Sequence, residues 1–312
     1  MDRSSWPGGV KLPVIVLLGA TATGKSSLAV DMACELGDDG RPAEVVNADS
    51  MLVYRGMDIG TAKPTMAERR GVPHHLIDIM DISEPASVAL FQGLARDVIA
   101  ACRRRGVIPI VVGGSALYLH AIIDQFEFPP TSHTLRTRLT DEMDAIGVEA
   151  MYDRLRSLDP QAASGIEPNN SRRIVRALES IQLTGTFRST LPEWTYALDD
   201  VVQIGLDIDR AEMDARIAAR VRKMWDQGFV SEVQDLLQHD LRESPTASRA
   251  IGYRQIIDYL DGEITEQQAK ESTVVKTRQF SRKQLSWWRR DPRVHWYPVG
   301  IDTQDLLLSV PV

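Results

Sequence analysis

Lys25 and Ser26 close the octapeptide Gly19-Ala20-Thr21-Ala22-Thr23-Gly24-Lys25-Ser26, in which two glycines stand five residues apart ahead of a cation and a hydroxyl. That is the spacing of a loop that grips phosphate. The backbone comes first: a glycine loop between a strand and a helix turns successive N–H groups, with the helix dipole behind them, onto one anion. Lys25 then adds charge near the outer phosphate, and Ser26 offers its oxygen to Mg2+. A second reactive group is Asp49, which ends the run "VVNADS". Kinases and nucleotide hydrolases need a metal-holding acid on a later strand, but "IPIVVGG" ends in Gly113, Gly114 and Ser115. An acid after the second strand instead reaches a substrate lying over the loop. This suits a general base better than a metal ligand. The same aspartate also suits a cap on the following turn.

These groups need a frame. Apolar, β-branched runs at 14–19, 43–48, 75–79, 107–113 and 201–208 read as strands. Residues 25–36 and 89–106 carry apolar side chains at three- and four-residue spacing and read as helices. Strand–helix alternation predicts an α/β fold, a P-loop-type parallel sheet flanked by helices. In such sheets ligands sit beyond the carboxyl ends of the strands, where Gly19, Asp49 and Gly113 fall. Residues 126–200 break the rhythm, with helical patterns at 134–157 and 171–185. They predict a smaller helical insertion domain within a core of 1–125 and 201–312. Helices are then expected over 211–227, 229–238, 248–260 and 265–290.

Charge and composition narrow the classes. The net charge of -7 argues against a generally basic nucleic-acid binder, yet the segment 278–293 holds Arg278, Arg282, Lys283, Arg289, Arg290 and Arg293 against Asp291 alone, a local charge of +5. Over a screening length of roughly 8–10 Å the nearby charges decide, so such a patch can hold phosphates on an acidic protein. Cys34 and Cys102 are too few for a disulfide framework or a four-ligand zinc site and suit reduced thiols in the cytoplasm. The N-terminal run has the outline of a secretory leader, but a phosphate loop occupies the would-be cleavage site. No stretch approaches a membrane span. His74 and His75 lack the partners a metal site requires, and Thr61 and Lys63 are expected to line the entrance to the site.

Several separated motifs point one way: "GATATGKS", "NADSMLVYRGMDIGTAKP", "PHHLIDI", "VVGGSALYL", "RAIGYRQ" and "RKQLSWWRR". Together they resemble the tRNA dimethylallyltransferase family from about residue 13 to residue 298. The resemblance implies transfer of a dimethylallyl group from dimethylallyl diphosphate to the exocyclic amine of the adenosine just 3′ of a tRNA anticodon. It implies that Gly19, Ala20, Thr21, Ala22, Thr23, Gly24, Lys25 and Ser26 hold the diphosphate with Mg2+ on Ser26. Asp49 is then the general base, and Arg220 a contact to the diphosphate. The tRNA partner would be met by Asp49, Ser50, Met51 and Leu52, by Ser115 and Arg136, and by Arg172, Arg173, Ile174, Val175 and Arg176. Further contacts would come from Arg249, Ala250, Ile251, Gly252, Tyr253 and Arg254. The last segment is Arg282, Lys283, Gln284, Leu285, Ser286, Trp287, Trp288 and Arg289. Ser115 stands where the family often has threonine, which keeps the hydroxyl. Consecutive Trp287 and Trp288 on a helix point about 100° apart, so at least one is expected in the core. The insertion is expected to clamp the anticodon stem, and the enzyme to be a cytoplasmic monomer.

Two other readings fit parts of the sequence. An ATP-dependent small-molecule or nucleoside kinase would use the same loop but needs the missing metal-binding acid. A non-catalytic RNA-binding protein would not need the intact Lys25, Ser26 and Asp49.

Overall fold

A computed structural model describes residues 12–187 and 194–310; the leader-like residues 1–11 lie outside it. Six strands form one all-parallel sheet in the order β3-β2-β4-β1-β5-β6: β1 (Val14–Gly19), β2 (Ala43–Asn47), β3 (His74–His75), β4 (Ile108–Gly113), β5 (Val201–Asp207) and β6 (Val294–Pro298). β1, β2 and β4 are buried at every position; β1 and β4 accordingly read as near-continuous apolar runs, whereas β2 also buries Glu44 and Asn47. Helices α1 (Lys25–Asp38), α2 (Met66–Arg69), α3 (Val88–Arg104) and α4 (Ala116–Ile123) belong to the first half of this unit. After β5 come α9 (Arg210–Asp226), α10 (Phe229–Leu237), α11 (Tyr253–Leu260), α12 (Glu266–Trp288) and α13 (Thr303–Ser309).

The chain divides into two compact units, residues 1–124 with 196–312, and residues 125–195. The second unit is helical: α5 (His133–Ile146), α6 (Val148–Leu158), α7 (Pro160–Ser164) and α8 (Ser171–Thr184) close over a core of their own that includes Leu139, Met151, Leu155, Ile174 and Leu178. The parallel α/β sheet with a helical insertion agrees with the fold class read from the sequence.

Three local expectations are corrected. The strand read over 75–79 stops at His75, because Leu76 and Asp78 take positive φ of 62° and 58° and turn the chain out of the sheet. The helix read over 248–260 is broken: a short 3-10 turn at Ala247–Arg249 precedes α11, with Gly252 at φ 92° between them. The sheet also gains an edge strand, β6, with mixed burial and a terminal proline, which its sequence did not announce.

Candidate active site

Gly24, at φ 86°, is the N-cap of α1, and Lys25 is the first helical residue. Ala22 also takes a positive φ, 67°, a costly conformation for a residue with a Cβ and one that clusters at ligand-binding loops. The loop therefore delivers its backbone N–H groups at the start of a 14-residue helix, as an anion site requires. Lys25 Nζ donates to Ala20 O at 2.6 Å. Burial is the main reason its pKa falls to about 7; the Arg220 charge adds to the fall and Asp49 opposes it. Burial likewise lowers the pKa of Arg220 against the pull of Asp49. Two basic side chains are thus held close together with one carboxylate beside them, an arrangement in which a multiply charged anion would favour the charged form of both.

Asp49 is fixed by its neighbours. Its N–H donates to Asn47 Oδ1 at 2.8 Å, and Asn47 Nδ2 donates to both Asp49 O and Leu76 O. Oδ1 of Asp49 accepts from Met51 N at 2.9 Å, so the aspartate does cap the following turn. Its Oδ2 has no hydrogen-bond partner among the described residues. One carboxylate therefore orients itself with one oxygen and offers the other.

Two cavities adjoin here. One, of about 250 Å³, is lined by Lys25, Ser26 and Gly113, and the other, of about 350 Å³, by Ser50, Ser115, Arg249 and Phe280. Thr21, Asp49, Thr61, Arg220 and Gln284 line both. Asp49 thus stands where a ligand on the phosphate loop and a ligand entering from the far side would meet.

The structure separates the expected RNA-contacting residues. Ser50, Met51, Ser115, Arg249, Ala250, Ile251 and Gln284 line the second cavity, while Arg254, Arg282, Lys283, Ser286 and Arg289 are exposed. Trp288 is wholly buried and stacks on His120 at 5.2 Å; Trp287 is partly buried. In the second unit Arg172 and Arg173 are exposed, whereas Ile174 and Val175 belong to its core. The side chains of Ile174, Val175 and Trp288 are taken up by packing and offer RNA no surface, whereas Tyr253, also buried and held by Glu232 through its hydroxyl, still lines the second cavity. Arg136 and Arg176 both bind the buried Glu179 carboxylate, which holds them in place but shares their charge.

The basic patch is likewise less free than its sequence suggests. Arg278 and Arg282 share Asp214, Arg289 pairs with Asp207, and Arg293 with Asp124 and Asp291. Lys63, expected at the entrance, instead turns inward to Tyr54 O, Asp58 and Asp78; its neighbour Thr61 lines the cavities. His75 binds Glu44 rather than a metal shared with His74. Glu44, His75 and Cys102 do come within ligand-sharing distance, but Arg105 already holds the Glu44 carboxylate at 2.6 and 2.9 Å. That ion pair is the main reason Glu44 falls to about 2, and burial pushes the Cys102 thiol up to about 11.

Gln284 was expected only as an RNA contact. It is buried and accepts from Thr21 N at 3.1 Å, tying α12 to the phosphate loop across 263 residues of sequence. No local signal announces such a long-range contact.

Sheet, loop and carboxylate define a P-loop-type α/β protein whose phosphate-loop cavity adjoins a second, larger one. Comparison with known proteins sharpens this. The sequence model described as IPP transferase matches residues 52–291, and the chain belongs to that family. It is 53% identical to a tRNA dimethylallyltransferase of Cutibacterium acnes, over 92% of this chain and 90% of that one. It is 52% identical to one of Kineococcus radiotolerans, over 97% and 96%. Among solved structures it resembles the tRNA isopentenylpyrophosphate transferase of Bacillus halodurans, with 39% identity, TM-score 0.69 and coverage of 96% and 94%. It also resembles a eukaryotic dimethylallyltransferase described as acting on tRNA, with 26% identity, TM-score 0.78 and coverage of 93% and 74%.

Proposed function

We propose that this chain transfers the dimethylallyl group of dimethylallyl diphosphate to the N6 amine of the adenosine immediately 3′ of the anticodon in tRNA, releasing diphosphate. The observation that carries the reading is the placement of Asp49 on the wall common to both cavities, with Arg220 beside it on that wall and Lys25 on its phosphate side. The family and the named relatives favour this over a kinase.

In the reaction the allylic C–O bond breaks and its electron pair leaves with the diphosphate, while an N6–C bond forms and N6 loses a proton. Negative charge grows on the leaving group, where the loop N–H groups, Lys25 and Arg220 stabilise it. The adenine amine is a weak nucleophile because its lone pair is delocalised into the ring. Asp49 Oδ2 takes its proton as the bond forms, a contribution typically of about 10²–10⁴-fold. The donor set suits Mg2+: Ser26 presents a hard hydroxyl oxygen at the helix start, beside the place for phosphate oxygens. When bound, Mg2+ supplies charge neutralisation at the diphosphate.

The target base must leave its stack to reach Asp49, and single-stranded loops are held by arginine, phosphate contacts and stacking. Arg249, Arg282, Lys283 and Arg289 of the core unit, and Arg172 and Arg173 of the insertion, are the cations proposed to hold the anticodon stem-loop. The reading also places the enzyme in the cytoplasm as a monomer; among the described residues no helix is long and apolar enough to cross a membrane, and both cysteines are unbridged. Transfer of label from dimethylallyl diphosphate to an anticodon stem-loop RNA tests the reading, with ATP tried in parallel as a phosphate donor. Label in the RNA supports it; phosphate transfer from ATP without prenylation restores the kinase.

A further inference from the structure

Glu232, on α10, lies well away in sequence from every motif discussed above, yet its carboxylate collects four hydrogen bonds. Oε2 accepts from Asp58 N at 3.0 Å and Ile59 N at 2.6 Å; Oε1 accepts from Gly60 N at 3.2 Å and from Tyr253 Oη at 2.6 Å. Three consecutive backbone N–H groups turned onto one carboxylate form an anion-holding nest, and here the anion is a side chain of the same protein. Gly60 is required for the fit. A Cβ there would lie 2.2 Å from the Phe229 ring and 2.6 Å from the Tyr253 ring.

The residue after this nest is Thr61, and its carbonyl oxygen accepts from Arg220 Nη2 at 3.2 Å. That is the hydrogen bond the described residues give Arg220. From the other side, Lys63 fixes the same turn through Asp58 and Tyr54 O. The turn is thus clamped at both ends. It meets the anion site through the Thr61–Arg220 hydrogen bond and through Thr61 itself, which lines both cavities.

We infer that Glu232 is a positioning residue for diphosphate recognition, acting through the Asp58–Thr61 turn to hold the Arg220 guanidinium over the phosphate loop. Carboxylate is the chemistry this needs. A glutamine offers one acceptor oxygen, and its NH2 group would face backbone N–H donors that have no other partner. The turn then loses its fixed shape and Arg220 loses its anchor. The inference rests on the diphosphate reading given above.

The test is a double-mutant cycle on the full chain, read as affinity for inorganic diphosphate by titration calorimetry and as kcat and KM for the allylic donor. Glu232→Gln is expected to weaken diphosphate binding by about tenfold in the wild-type background and by less than about twofold in the Arg220→Gln background, the non-additivity expected of coupled residues. A purely structural role would give the same loss in both. Tyr253→Phe removes one bond to the same carboxylate without disturbing the three N–H groups, and should show the same pattern more weakly if Glu232→Gln fails to fold. Equal losses in the two backgrounds, or no loss with either substitution, would overturn the inference alone. Failure of the wild-type protein to bind diphosphate would remove the reading beneath it, and the inference with it.

Discussion

Gln284 accepts hydrogen bonds from both the backbone N–H and the hydroxyl of Thr21, at 3.1 and 3.3 Å, so the last long helix of the core unit is joined directly to the phosphate loop. The same side chain lines both cavities. Under the proposed function, the RNA side and the diphosphate side of the site therefore share this residue.

Replacing it should separate charge from hydrogen bonding. Gln284→Ala leaves the Thr21 N–H without its partner, a loss of about 1–3 kcal/mol in such sites, and should lower diphosphate affinity by roughly tenfold. Gln284→Glu keeps the acceptor but sets a negative charge beside the anion, so its diphosphate affinity should fall below that of the alanine variant although its melting temperature is the higher. Calorimetry and thermal melts on the two variants check the order.

Lys25 gives a pH dependence with a definite sign. Its pKa falls from the ordinary 10.5 to about 7 in the ligand-free protein. Between those values the unfolded chain binds the extra proton, so this group makes stability rise with pH from about 7 toward 10.5. A bound diphosphate restores the charge. Binding near pH 8 should therefore take up a proton, seen as a dependence of the calorimetric heat on buffer ionisation enthalpy. Lys25→Met should abolish that dependence.

The two thiols should differ. Cys102 is fully buried and raised to about 11, whereas Cys34 is partly exposed. Mild alkylation of the native protein near pH 8 should label Cys34 and spare Cys102, and mass spectrometry of the peptides reads the result.

Trp288 is expected to matter for folding rather than for RNA. Its indole is wholly buried, stacks on His120 and donates to Gly114 O at 3.4 Å. Trp288→Ala should cost about 3–5 kcal/mol of stability. Arg282→Ala, at an exposed site, should leave the melting temperature nearly unchanged and weaken stem-loop binding.

What was legible in the sequence was what local rules encode. The loop from Gly19 to Ser26 carries its own signature, and the capping box of Thr265 and Gln268 sets the start of α12 within a residue of the expected place. β1 and β4 were readable because burial on both faces demands near-continuous apolar runs. β6 was missed because, as an edge strand, it is only partly buried and carries a mixed pattern of histidine, aromatics and proline. Lys63 and Glu232 were not legible in their roles, since the first is set by the turn it folds into and the second by backbone donors some 170 residues away. Arginine pairing was invisible for the same reason. A count of charges along 278–293 cannot see Asp214 or Asp207.

Under the proposed function, Asp49 takes the proton of the adenine amine at the junction of the two cavities. The most direct measurement is single-turnover prenyl transfer to an anticodon stem-loop by Asp49→Asn, set beside the affinity of the same variant for the same RNA. Asparagine preserves the cap to Met51 N but removes the base. The account predicts a fall in rate of about 10²-fold or more with RNA affinity nearly unchanged. A loss of affinity equal to the loss of rate, or a rate close to that of the wild type, would contradict it.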